Sequence, residues 1–116
     1  MKIKIVSYLI LIMYDNKSMS IILFTSGTTS IAKAVMLSQY AICMDLYALS
    51  QMIDIKTTDK FLSFLPLHHT FESTTTFLFG TSCGITIAIC DGLRYIQSNL
   101  IEYQVTGFVC VPLMLE

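Results

Sequence analysis

The sequence predicts an α/β fold: an incomplete layered fragment with a largely parallel sheet and helices on its faces. Three observations lead there. Short β-prone apolar runs recur at residues 21–24, 61–65, 85–89 and 105–111. Helix-spaced apolar stripes fall between them, and strands that alternate with helices imply a parallel sheet covered on both faces. Finally, 54% of the 116 residues are hydrophobic and only 13% are charged, which is more apolar than an ordinary soluble domain. A chain this short has too little interior to hide so much apolar surface, so the composition reads like the inside of a larger protein. The sequence also stops at Glu116 without a polar tail, as if a fold had been cut through.

The elements follow in order. Lys2 and Lys4 precede an apolar run at residues 5–14. This resembles a secretory leader without its small-residue cleavage site, because Asp15, Asn16 and Lys17 stand where that site would be. Residues 1–18 are therefore expected as an N-terminal extension or edge strand, and residues 19–116 as one partial domain. Residues 21–24 read as a buried strand. After a polar loop comes a short apolar run at residues 34–37, and Ser38 is placed to cap a helix. Ile42, Leu46, Leu49 and Ile53 form one stripe of that helix, which spans about residues 39–53. Residues 54–60 read as a turn. Residues 61–65 read as a strand ended by Pro66, which cannot donate to a ladder. Residues 70–81 contain few breakers and read as helical against the preference of their threonines. Ile85, Ile87 and Ile89 alternate with Thr86 and Ala88 as a strand. Asp91 is expected to cap a helix running to about Tyr103 on the stripe Leu93, Ile96 and Leu100, and residues 105–111 close as a strand before Pro112.

Composition excludes several functions. A net charge of -1 provides no basic field for nucleic acid. Charges break every apolar run before it reaches the roughly 18 to 20 residues of a membrane span. Cys43, Cys83, Cys90 and Cys110 are irregularly spaced without a C-x-x-C pair, as expected of buried thiols in a reducing cytoplasm. No protein-ligated metal is expected. His68 and His69, read as neighbours in an extended segment, would point to opposite sides and could not share an ion with Cys83.

The chemistry concentrates at Phe24-Thr25-Ser26-Gly27-Thr28-Thr29-Ser30-Ile31-Ala32-Lys33. A strand leads here into five hydroxyl residues, a glycine and a lysine, which suits polyphosphate binding. Gly27 lets the backbone turn, the hydroxyls and consecutive N–H groups can form an anion cradle, and Lys33 adds charge. A Ser/Thr-rich surface turn is the alternative. The Walker-type loop G-x-x-x-x-G-K-[ST] does not fit, since Ala32 and Ala34 replace its second glycine and its magnesium-binding hydroxyl. The segment resembles instead the signature loop T-S-G-T-T-G-x-P-K-G of the AMP-forming adenylating enzymes: acyl-CoA synthetases, peptide-synthetase adenylation domains and luciferases. Thr25, Ser26, Gly27, Thr28, Thr29 and Lys33 match it, while Ser30, Ala32 and Ala34 depart from it.

A second segment, Phe64-Leu65-Pro66-Leu67-His68-His69-Thr70-Phe71-Glu72, lies at a predicted strand end, where α/β sheets bind ligands. It resembles the same family's L-P-L-x-H motif, with His69 at the histidine and Glu72 as in its long-chain fatty-acyl-CoA synthetase branch. Read alone, His69 could be a hydrogen-bonded strand-end histidine. Glu72 could be an exposed carboxylate at a helix start. Residues 91–94 and 105–116 also look like later segments of the family, with Leu113 where arginine often follows the strand-ending proline.

The resemblance implies binding of ATP with its Mg2+ and of a carboxylic acid, adenylation with loss of pyrophosphate, and transfer of the acyl group to a thiol such as coenzyme A. It implies phosphate contacts from Thr25, Ser26, Gly27, Thr28, Thr29, Ser30 and Lys33, a catalytic part for Lys33 and His69, and an acyl-side position for His69 and Glu72. The family's adenine, ribose and C-terminal lysine motifs are not found in these residues. The expectation is of part of an acyl-CoA synthetase, inactive alone and partnered by the remainder of the enzyme. The other readings are a non-catalytic nucleotide-binding or interaction module and a small protein anchored to a membrane by residues 5–14.

Overall fold

The computed structural model describes residues 18–25 and 33–111. Strand β1 (Met19–Thr25) and strand β2 (Lys33–Ser38) form an antiparallel pair whose register runs from Ile21↔Leu37 to Thr25↔Lys33. Ile21 and Leu37 pack against the core, whereas Phe24 and Met36 farther along the hairpin are exposed. The sequence had marked residues 34–37 only as an apolar run, so the hairpin is an addition to the predicted parallel sheet.

Helix α1 (Gln39–Met52) follows β2 without a linker. Ser38 provides its N-cap as expected: its hydroxyl accepts from the Ala41 N–H at 3.2 Å. Ile42, Cys43 and Leu46 are buried and Leu49 is half-buried, but Ile53 lies beyond the helix and is exposed. Ile42, Leu46, Ile55 and Phe79 form the core, against which Phe61, Leu78, Cys83 and Ile85 pack.

The sheet that positions the site has the order β4-β3-β5, with β3 (Lys60–Ser63) central and parallel to β4 (Thr86–Ile89) and β5 (Gly107–Phe108). The α/β class with its parallel sheet is thus as predicted. Leu62 on the central strand is completely buried. Gly107 faces Phe61 across the ladder, and a Cβ there would lie 2.6 Å from the phenyl Cε1, so only glycine fits without moving the ring.

The β3–β4 crossover is helical from Thr70 to Cys83 in three pieces: α2 (Thr70–Glu72), a π-helical stretch (Ser73–Leu78) and α3 (Phe79–Cys83). The helix predicted for residues 70–81 forms, but its middle turn is widened. Hydroxyl groups bond back to carbonyls along this stretch, Ser73 to His69 at 3.0 Å and Thr81 to Phe77 at 2.6 Å, and such bonds compete with regular α-helical pairing. Gly84, at φ 69°, ends it in the left-handed conformation that glycine adopts at no steric cost.

Two sequence expectations give way after β4. Asp91 does not cap a helix. Gly92 (φ 135°) turns the chain into a 3-10 turn (Leu93–Tyr95), and α4 (Ile96–Glu102) begins only after Tyr95. The Asp91 carboxylate accepts instead from Asn99 Nδ2 at 2.9 Å, while the Asp91 N–H donates to Asn99 Oδ1 at 3.0 Å. Asn99, not Leu93, is the side chain this segment buries, and Leu93 is 67% exposed. The strand expected over residues 105–111 is two residues long. Strand β3 likewise stops at Ser63, before Pro66, and gives way to a turn. Among the described residues, no helix is long and apolar enough to cross a membrane.

Candidate active-site crevice

The chain leaves β3 for β4 on one side, then crosses back to place β5 on the other. This reversal is a topological switch point, and in open α/β sheets the crevice outside the carboxyl ends of two such strands is where ligands bind. A cavity of about 580 Å3 opens there. Leu65, Pro66, His69, Thr70, Phe71 and Glu72 line it from the β3 side, and Cys110 and Val111 from the β5 side. The Phe64 and Phe108 rings, with centroids 6.0 Å apart, tie the two strand exits together beside it.

The β3 side is a short loop returning as a helix. The His69 N–H donates to the Pro66 carbonyl at 3.0 Å, closing the turn, and the His69 carbonyl accepts from the Ser73 N–H at 3.1 Å and from its hydroxyl at 3.0 Å. His69 is thereby the N-cap position of α2, with its imidazole exposed and free of any capping bond. The imidazoles of His68 and His69 lie side by side, with centroids 4.6 Å apart, because this segment is a turn and not the extended chain that the sequence suggested. Among the described residues no cluster of three or more His, Cys, Asp or Glu side chains is arranged to hold a metal.

Glu72 is 1% exposed, which excludes the reading of an exposed helix-start carboxylate. One oxygen accepts from the Ser63 hydroxyl at 2.6 Å and the other from the Thr76 hydroxyl at 3.0 Å. The crevice therefore brings His69 and Glu72 together with Cys110 and Val111, which the sequence did not mark as site residues. The signal was present in the apolar run ending at Pro112, since the strand-end rule that marked His69 applies equally to β5.

Of the loop, Thr25 closes β1 and Lys33 opens β2, and the two are ladder partners. Ser26, Gly27, Thr28, Thr29 and Ser30 lie outside the described residues, and Lys33 is not part of the crevice lining. Cys43 is buried, while Cys83, Cys90 and Cys110 are half-buried. Burial pushes the Cys43 thiol above its ordinary pKa.

Residues 12–116 match the family model of the AMP-binding enzymes. A chloroplastic long-chain-fatty-acid–[acyl-carrier-protein] ligase of Arabidopsis thaliana is 34% identical over 102 residues, covering 88% of this chain and 14% of the ligase. A crotonobetaine/carnitine–CoA ligase of Proteus sp. (strain LE138) is 32% identical over 97 residues, covering 82% of this chain and 19% of that protein. The chain thus spans less than a fifth of the length of either relative. Among solved structures, the inhibitor-bound N-terminal domain of FACL13 from Mycobacterium tuberculosis superposes with a TM-score of 0.71 at 27% identity, covering 81% of this chain and 24% of that one. A red-emitting luciferase from Phrixothrix hirtus shares the fold at a TM-score of 0.77 and 22% identity, over 86% of this chain and 20% of its own. With residues 12–116 matching the family model and the parallel sheet shared with the solved FACL13 domain, the chain belongs to the AMP-binding enzymes, the family of adenylate-forming acid ligases.

Proposed function

We propose that these residues supply the phosphate loop and one wall of the acyl site of an ATP-dependent, AMP-forming ligase that joins a carboxylic acid, a long-chain fatty acid, to coenzyme A. The observation that carries this reading is the crevice at the carboxyl ends of β3 and β5, with His69 at its rim, in a chain whose β1–β2 hairpin brings together Thr25 and Lys33, the two ends of the hydroxyl-rich loop. Residues 19–116 act as the partial AMP-binding unit, to which the family match adds residues 12–18.

In the first step a substrate carboxylate oxygen attacks the α-phosphorus of ATP. The bond from the α-phosphorus to the oxygen it shares with the β-phosphate breaks and pyrophosphate leaves, and Mg2+ carried by the nucleotide would help to neutralise its charge. Thr25, Ser26, Gly27, Thr28, Thr29 and Ser30 present N–H groups and hydroxyls to the β- and γ-phosphates. Lys33 neutralises charge that grows on the departing pyrophosphate, and such stabilisation is worth most where water is excluded. His69 lines the acyl side. In the second step a thiolate attacks the acyl carbon and releases AMP. Loop, histidine and crevice form only part of such a site, so the chain grips nucleotide without completing adenylation unless the remainder of the enzyme joins it. A reducing cytoplasm fits four cysteines without a C-x-x-C pair.

Calorimetry with MgATP tests the reading. The folded chain is expected to bind the nucleotide, and Lys33→Ala to weaken binding about tenfold, the size of one charge-assisted hydrogen bond. Palmitate and ATP are expected to yield no acyl-adenylate with this chain alone. A folded chain that ignores ATP would contradict the phosphate assignment, and turnover would contradict the partial-site assignment.

A further inference from the structure

The excursion that carries the β3 side of the crevice, residues 64–71, leaves the sheet at Ser63 and returns at Glu72. Its base is closed by one side-chain bond: the Ser63 hydroxyl, on the last residue of β3, donates to Glu72 Oε1 at 2.6 Å. Glu72 is held in turn from the π-helical stretch, where the Thr76 hydroxyl donates to Oε2 at 3.0 Å. All three side chains are buried, Ser63 at 3%, Glu72 at 1% and Thr76 at 0% exposure. The Ser63 carbonyl accepts from the Cys90 N–H at 2.9 Å, so the same residue also anchors the exit of β4. A carboxylate taken out of water is costly unless donors satisfy it, and here each oxygen meets one.

Building on the adenylate-forming reading of this crevice, we propose that Glu72 is a positioning residue: it acts as a clasp that holds the 64–71 loop, and with it His69, against the end of β3, and does not itself contact substrate. Its two acceptor bonds face the protein, one to the strand and one to the helix. His69 lies three residues before it on the same short return. A bond that closes a loop at its base removes conformations the loop would otherwise sample, so its loss is felt along the loop and not only at its ends.

The test uses the full chain and two readouts. The first is NMR of the ligand-free protein. Glu72→Ala and Ser63→Ala are each expected to shift the imidazole resonances of His69 and the amide signals of residues 65–71. The double variant is expected to shift them no further than Glu72→Ala does, because that change already breaks the Ser63 bond. Glu72→Gln retains an acceptor for one hydroxyl and is expected to restore most of the native spectrum. The second readout is calorimetric titration with a non-hydrolysable acyl-sulfamoyl adenosine. Glu72→Ala should weaken binding about tenfold and Glu72→Gln less than about threefold, as expected for a lost bond to a charged group. If Glu72→Ala does not fold, Ser63→Ala and Thr76→Val carry the same comparison. Unchanged His69 signals in Glu72→Ala or Ser63→Ala would overturn the clasp, and so would a Glu72→Gln variant that folds natively yet binds as poorly as Glu72→Ala. A native chain that does not bind the sulfamoyl adenosine would count against the adenylate-forming reading alone, because the ligand-free spectra decide the clasp independently.

Discussion

Gly107 shows how much of the sheet rests on one missing methyl group. Because a Cβ at this position would press into the Phe61 ring at 2.6 Å, Gly107→Ala is expected to lower stability by about 1–3 kcal/mol, the usual cost of overpacking, in urea unfolding. Tyr103 offers a test by pH. The Asp91 carboxylate raises its phenol above the ordinary 10.0, with burial and Glu102 adding to the effect. The tyrosine therefore favours folding below its ordinary pKa, and that contribution is lost as the pH rises through the raised value. Removing the charge with Asp91→Asn should let the phenol ionise at lower pH, read from the ultraviolet absorbance of the phenolate. An unchanged titration would show that Asp91 does not act on it. Asp91 also marks where local reading fails. Its cap expectation rested on the apolar positions that follow, whereas the positive φ of Gly92 and the 3-10 turn displace the helix and turn the carboxylate toward Asn99. Ser38 was legible because a cap depends only on the next three residues, and no glycine intervenes.

Helix α1 shows the same contrast among its own residues. The stripe Ile42, Leu46, Leu49 and Ile53 was legible from spacing, but spacing cannot tell where the helix stops. Ile53 falls past the last turn and is 44% exposed, while Leu46 is 6% exposed in the core. Leu46→Ala is accordingly expected to cost about 2–5 kcal/mol, and Ile53→Ala to stay within about 0.5 kcal/mol, in the same unfolding experiment. The hairpin was not legible for a related reason. Residues 34–37 are apolar at every position, so they carry no alternation to mark a strand, and their antiparallel partner is fixed by pairing with β1 instead of by local pattern. The π-helical stretch is likewise invisible to a count of breakers. It arises where hydroxyl side chains compete for carbonyls, and its Thr76 reaches Glu72 across the widened turn.

On the scale of the whole molecule, the excess of apolar residues read from composition reappears as surface: Phe24, Met36, Met52 and Ile101 are each more than 70% exposed. Apolar area of this kind marks an interaction surface or an aggregation hazard. The chain is expected to self-associate as concentration rises, seen as growing light scattering, and mild detergent should suppress it. The parallel sheet and the strand-end position of His69 were legible because periodicity and the strand-end rule are local. The return of β5 to the far side of β3, which sets Cys110 and Val111 opposite His69, depends on topology and appears only in three dimensions.

Ligand is expected to bind at this switch point. Backbone NMR of the chain titrated with an acyl-sulfamoyl adenosine tests it most directly. The signals expected to move lie in residues 25–33, 65–72 and 110–111. Movement confined to the neighbouring groove lined by Asp45, Ala48, Met52 and Thr74, or no movement in a folded chain, would contradict it.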